Sequence, residues 1–214
     1  METAMMINNL ETVLQSTTGA EAYRLLSETI KALKSTLARE CAKSTGRLNV
    51  LKAMNNICRD ARGTARAGLW FTWKDASGRQ CACDGYRAMR LNPGHHVQTE
   101  ERPEQYSGEV INLDRIFDGL EVKSTSVVPV PSAADIKMAI KTQRAIKGRK
   151  SRAILELQAV APEGSTYMIR VNAEYLLDLV MATGTDHVYA SPLQPLAPLY
   201  YRDDTCDAVI LPIR

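Results

Sequence analysis

Apolar residues recur along this chain with two different periods, and the changes of period mark its elements. Tyr23, Leu26, Ile30, Leu33 and Leu37 fall at spacings of three and four, which predicts one apolar stripe along a helix. Met6, Leu10, Val13 and Leu14 predict a shorter helix before it. Ser16-Thr17-Thr18-Gly19 separates the two, and Thr18 with Glu21 reads as a capping box for the second. Residues 47–62 predict a third helix, with Leu51, Met54 and Cys58 on one side and Lys52 and Arg59 on another. The period then drops to two. Leu69, Phe71 and Trp73 share one face of a predicted strand over residues 68–74. Asp75-Ala76-Ser77-Gly78 predicts a turn, and residues 79–91 a returning strand that Asp84-Gly85 kinks or turns.

Residues 92–107 are polar and rich in Pro and Glu, which predicts a loop. Val110-Ile111-Asn112 reads as a short strand, with Asn112 capping a helix over residues 113–119. Pro129 and Pro131 exclude helix from residues 121–131, which read as an extended interdomain linker. Ser132, with Asp135 three positions on, caps the next helix. In it Ile136, Ile140, Gln143 and Ile146 share one side, and Lys137, Lys141 and Arg144 form the neighbouring stripe up to Gly148. Strands follow over residues 153–160 and 166–171, joined by Pro162-Glu163-Gly164. Asn172 caps a helix over residues 173–182 that Gly184 ends. Closing strands over residues 188–191, 197–202 and 208–213 have Asp203-Asp204 as a turn. Residues 109–117 echo residues 168–176: each run leads from a strand into Asn and a helix, a degenerate repeat. The class is α+β, helices packed on antiparallel sheets. The predicted division is a helical segment over 1–45, a first and truncated unit over 46–125, and a second unit over 126–214.

Composition narrows the chemistry. The 45% hydrophobic and 24% charged residues are those of an ordinary folded domain and exclude disorder. No run approaches the ~18 apolar residues of a membrane span, and Met1-Glu2-Thr3-Ala4 lacks the basic start and apolar core of a signal peptide, so a cytoplasmic protein with no membrane partner is expected. The five cysteines show no C-x-x-C spacing, and Cys81 and Cys83 flank Ala82 on one face of a strand, as buried thiols do. The three histidines lack metal-ligand spacing, His95-His96 lying in a loop, so no metal and no cofactor is expected. G-x-S-x-G, P-loop and G-x-G-x-x-G motifs are missing, and Asp203-Asp204 with Asp207 reads as a turn rather than a Mg²⁺ site; no enzyme is expected. The net charge of +3 says little, but its distribution says more. Residues 1–45 balance five cations with five carboxylates. Residues 47–66 carry Arg47, Lys52, Arg59, Arg62 and Arg66 against Asp60, and residues 132–152 carry Lys137, Lys141, Arg144, Lys147, Arg149, Lys150 and Arg152 against Asp135. Two basic helical segments point to phosphate contact.

Two strings resemble one family. Residues 171–180, Val-Asn-Ala-Glu-Tyr-Leu-Leu-Asp-Leu-Val, then Pro195-Leu196-Ala197-Pro198-Leu199 and the closing Val209-Ile210-Leu211-Pro212-Ile213-Arg214, resemble the final half-domain of the bacterial DNA polymerase sliding clamp, the polymerase III beta subunit. Cys83-Asp84-Gly85-Tyr86-Arg87-Ala88 resembles the Thr-Asp-Gly-His-Arg-Leu string of its middle domain, with Tyr86 for the family's His and Ala88 for its Leu. The resemblance covers residues 47–214 and implies a divergent, shortened clamp: about one and a half to two clamp units where the family has three. A ring of another stoichiometry, such as three chains, and a monomer that keeps only the fold both stay open.

The resemblance also implies function. A clamp is a processivity factor that neutralises duplex phosphates without reading bases and slides; the residues for this are Lys52, Arg59, Arg62, Arg66, Lys137, Lys141, Arg144, Lys147, Arg149 and Lys150. It also recruits peptides of replication or repair proteins into an apolar groove, whose walls here are Gly85, Tyr86, Arg87 and Ala88, Leu211, Pro212, Ile213 and Arg214, and Val128 or Pro129. The alternative is a clamp-fold interaction module without DNA binding that engages its partner through the N-terminal helices.

Overall fold

The computed structural model describes residues 2–100, 102–103, 106, 110–121, 125–192, 194 and 196–213. Helices α1 (Glu2–Ser16) and α2 (Ala20–Ser44) form a hairpin ahead of α3 (Leu48–Ala61). Strands β1 (Trp73–Lys74), β2 (Gln80–Cys83) and β3 (Arg87–Leu91) follow, then α4 (Asp114–Glu121), β4 (Ser126–Pro129) and α5 (Ala133–Lys147). The chain closes with β5 (Ile154–Val160), β6 (Thr166–Asn172), α6 (Ala173–Thr183), β7 (His187–Ala190), β8 (Leu199–Arg202) and β9 (Cys206–Ile210). Seven strands make one antiparallel sheet in the order β1-β2-β3-β9-β8-β7-β4, and β5 pairs with β6 alone. Strands from both halves of the chain therefore meet in one sheet, at the β3–β9 seam.

Both faces of that sheet are covered. Ala82 and Met89 face a core shared with α3, α5, α6, β5 and β6; Cys81, Cys83 and Ala88 face a second core with Leu69, Trp73, Leu113 and Phe117 of α4. Period-two alternation thus sorts neighbours into opposite cores. It explains why β2, β3 and β9 are buried at every position and why small residues, Ala82, Ala88 and Ala208 with the cysteines, are used there: helices and sheet can approach closely. Burial pushes the Cys58, Cys81 and Cys206 thiols up to about 12 and Cys83 to about 11, so all four stay protonated and inert at neutral pH.

The caps predicted at Ser132 and Asn172 form. Ser132 Oγ accepts from Asp135 N at 3.2 Å and Asn172 Oδ1 from Glu174 N at 2.9 Å. Gly184, at φ 72°, closes α6 in the left-handed conformation. Other expectations are corrected. Gly19, with no side-chain cap bond, is the N-cap of α2, while Thr17 Oγ1 donates back to Val13 O; the Thr18–Glu21 box does not form. Leu69, Phe71 and Trp73 are buried as expected, but residues 67–69 are a 3₁₀ turn whose backbone bonds close within itself, leaving only Trp73–Lys74 as strand. Residues 110–112 form no strand; Val110 and Ile111 are half-buried on the α4 side, and Asn112 Oδ1 accepts from Asp114 N at 3.0 Å. Ser126–Pro129, within the expected linker, is an edge strand paired with β7; Pro129, lacking an N–H, is tolerated there. The last strand stops at Ile210, before Pro212. On α5 the apolar side ends at Gln143, whose amide bonds both Ile154 O and Ile154 N; Ile146 is exposed.

Leu176 is fully buried on the inner face of α6, and Asn172 caps the first turn of that helix. Leu176→Ala is expected to cost ~2–5 kcal/mol through its cavity and Asn172→Ala about 1 kcal/mol, read as shifts in the urea midpoint at unchanged slope.

Candidate nucleic-acid interface and C-terminal strip

The site is organised by Arg87. Asp84 and Gly85 make the β2–β3 turn: Asp84 Oδ1 accepts from Tyr86 N at 2.8 Å and Arg87 N at 2.9 Å, and Gly85 sits at φ 90°, where a side chain would be strained. The turn aims the Arg87 side chain at the helices. Its Nε donates to Asp84 Oδ2 at 3.0 Å, Nη1 to Asp178 Oδ2 of α6 at 2.6 Å, and Nη2 to Asp60 Oδ2 of α3 at 2.8 Å. The guanidinium carbon lies 4.2 Å from the centre of the Tyr175 ring. Asn56 of α3 donates to the other oxygen of Asp178 at 2.8 Å. Burial alone would weaken the Arg87 cation, but Asp178 and Asp84 outweigh it and hold its pKa above the ordinary value. One side chain therefore locks α3, α6 and the sheet.

That lock sets the surface above it. α6 packs between α3 and α5. Lys52 and Arg59 lie on the same side of α3 as Asn56 and Asp60, which reach α6 or the Arg87 beside it. Lys137 and Lys141 share a stripe of α5 with Arg144, which pairs with Glu174 of α6. Two basic stripes, predicted from separate parts of the sequence, thus flank one helix. Arg62, Arg66, Lys147, Arg149 and Lys150 are exposed beyond them, with Arg62 paired to Glu100 at 2.7 Å and Arg59 to Asp60 at 3.2 Å. The carboxylates within this face, Glu174, Asp60 and Asp178, are each held by a cation.

The residues expected to form the groove are only partly brought together. Gly85, Tyr86 and Leu211 are exposed and adjacent: Leu211 N donates to Tyr86 O at 2.8 Å. Pro212 and Ile213 continue half-buried, and Ile213 N donates to Arg170 O of β6 at 2.7 Å. The C-terminal segment thus stitches the β2–β3 turn to β6. Arg87 and Ala88 are buried on opposite faces of β3, so neither offers a wall to solvent. An opening of about 10 Å³ beside Arg87, lined by Ile57, Tyr175 and Val209, has room for no more than one water. Pro129 is exposed on β4, with β8 and β7 between it and β9; Val128 is fully buried. Arg214 lies outside the described residues. A larger apolar cleft of about 640 Å³ lies elsewhere, between α4 and Ser191, Gln194, Leu196, Ala197 and Pro198.

Reading the sequence missed Asp60, Asp178, Asn56 and Tyr175. A signal existed: Asn56 and Asp60 are four apart and Tyr175 and Asp178 three apart, polar pairs beside apolar helix faces. Among the described residues no group of three or more His, Cys, Asp or Glu side chains could hold a metal ion, and no helix is long and apolar enough to cross a membrane.

No protein-family model and no curated protein matches the chain. Solved structures do. The Helicobacter pylori beta clamp bound to a DNA ligase peptide is 12% identical over 78% of this chain and 62% of that one, with a TM-score of 0.49. The Bacillus subtilis DNA polymerase sliding clamp is 13% identical over 76% and 62%, with 0.47. The Pseudomonas aeruginosa DNA polymerase III subunit beta is 17% identical over 76% and 65%, with 0.46. The chain is similar to these clamps over most of its own length and spans less than two thirds of theirs.

Arg87→Met leaves Asp84, 2% exposed, without its cation and is expected to lower stability by ~3–5 kcal/mol in urea unfolding. Arg87→Lys should recover little, because one ammonium cannot serve three carboxylates. A loss below ~1 kcal/mol, the range of a surface pair, would refute the lock.

Proposed function

We propose that this chain is a clamp-fold, non-catalytic protein that holds duplex DNA loosely and recruits extended peptides of replication or repair proteins. The observation that carries the DNA half is the pair of basic stripes, Lys52/Arg59 and Lys137/Lys141/Arg144, on either side of α6. Lysine and arginine on helix surfaces neutralise phosphates and release counterions without reading bases, so the contact is salt-sensitive and indifferent to sequence. Arg62, Arg66, Lys147, Arg149 and Lys150 lengthen the track. In this reading residues 46–125 and 126–214 are two clamp-like units that meet at the β3–β9 seam.

The peptide half rests on the exposed strip of Gly85, Tyr86 and Leu211 with Pro212 and Ile213. Leucine and phenylalanine side chains of an extended peptide would lie on Tyr86 and Leu211, and Pro212 leaves one backbone position with no donor. Arg87 supports this strip from beneath by fixing the turn that carries Tyr86.

Fluorescence anisotropy of a labelled duplex across a salt series tests the DNA half. Affinity is expected to fall steeply with salt, and Lys137→Glu with Lys141→Glu to lower it at least ~10-fold and flatten the salt slope by about 1 per lysine. Binding unchanged by both reversals would refute the α5 stripe as the contact, and a wild-type chain with no salt-sensitive duplex binding would leave an interaction module without a DNA role. Leu211→Asp should abolish binding of a Leu/Phe peptide while leaving DNA affinity intact; a wild-type chain that binds no such peptide would refute the groove.

A further inference from the structure

The hairpin of α1 and α2, which the clamp resemblance does not cover, has little core of its own. Its buried side chains among the described residues are Ile7 on α1 and Ile30, Ala38 and Ala42 on α2, and the two alanines belong to the core of the main body. Yet Met5, Met6 and Val13 of α1 and Tyr23 and Leu25 of α2 are each at least half exposed. Met6 and Val13 are seven residues apart with half-buried Leu10 between them, so they form one stripe beside the Ile7 seam. A helix pair that buries so little is marginal in water unless something covers it.

The charges say what fits. α1 carries Glu2 and Glu11 and no cation, whereas α2 carries Arg24, Lys31, Lys34, Arg39 and Lys43 against Glu21, Glu28 and Glu40. Within one chain Lys34 already reaches Glu11 at 2.8 Å. A two-fold arrangement of two such hairpins sets the acidic α1 of each copy against the basic α2 of the other, and every favourable contact is made twice. The same arrangement buries both Met6–Val13 stripes in a four-helix core. We infer that the α1–α2 hairpin is a self-association element, through which two copies of this chain join as a four-helix bundle. An unrelated partner would have to supply an apolar stripe and a matching charge pattern; a second copy has both by construction.

Light scattering of the full chain over a micromolar concentration range tests this. The expected mass is twice the chain mass of 23.7 kDa. Met6→Glu with Val13→Glu should weaken the dimer by about tenfold or more, towards 23.7 kDa, with unchanged circular dichroism. Met6→Ala with Val13→Ala, which only trims exposed side chains, is the milder pair and should weaken it in the same direction. A wild-type chain that stays monomeric throughout, or a dimer indifferent to both pairs, would overturn the inference. Duplex affinity of the dissociated variant, measured separately, keeps this outcome apart from that of the DNA-binding proposal.

Discussion

The guanidinium of Arg87 is the contact on which the arrangement of this molecule depends. It joins three elements distant in sequence: Asp60 lies 27 residues before it, and Asp178 lies 91 residues after it. A buried cation with one carboxylate is weak support for stability, since desolvation offsets much of the attraction. Here three carboxylates, the Tyr175 ring and the planar fork of the arginine together satisfy its three nitrogens, and only in one relative placement of α3, α6 and the β2–β3 turn. The contact therefore contributes position more than adhesion.

β3 carries a second arginine of opposite orientation. Arg90, three residues on, points to the other face, where Nε donates to Asp207 Oδ2 at 2.8 Å and Nη1 to Asp114 Oδ1 of α4 at 2.6 Å, over the Phe117 ring. Asp207 is shared with Arg202, whose Nε donates at 2.6 Å, and Asp114 with Arg79. The Asp207 carboxylate, read in the sequence beside Asp203-Asp204, is thus consumed by arginines, while Asp203 Oδ1 accepts from Thr205 N and Cys206 N to make the turn. A single strand pins α3 and α6 on one side and α4 on the other. Small apolar residues around it let the layers close, and the two charges fix how they close.

What could be read from the sequence was local or periodic. Ser132, Asn172 and Gly184 announced helix ends because a cap is decided by residues within one turn. Cys81 and Cys83 announced one buried face of a strand because alternation puts both on the same side; the second core, which Ala82 faces, left no such signal. The strand predicted over residues 68–74 failed for a physical reason: burial of Leu69, Phe71 and Trp73 is satisfied equally by a 3₁₀ turn, and only the backbone bonds distinguish the two. The Arg87 lock was hidden because its partners are distant in the chain and each looks like an ordinary surface acid. The resemblance implies Arg87 as a wall of a groove; the structure buries Arg87 and exposes Tyr86 and Leu211 instead.

The basic face depends on the lock. Lys52 and Arg59 belong to one half of the chain and Lys137, Lys141 and Arg144 to the other, and they form one surface because α6 is held between α3 and α5. The proposed role of this surface, rather than of the basic chain at large, is to meet DNA. Its most direct test is lysine footprinting: brief acetylation at low salt with and without a duplex, read by peptide mass. The account predicts protection of Lys52, Lys137 and Lys141 with little change at Lys31 and Lys43 of α2. Equal protection of all lysines, or protection confined to α2, would contradict it.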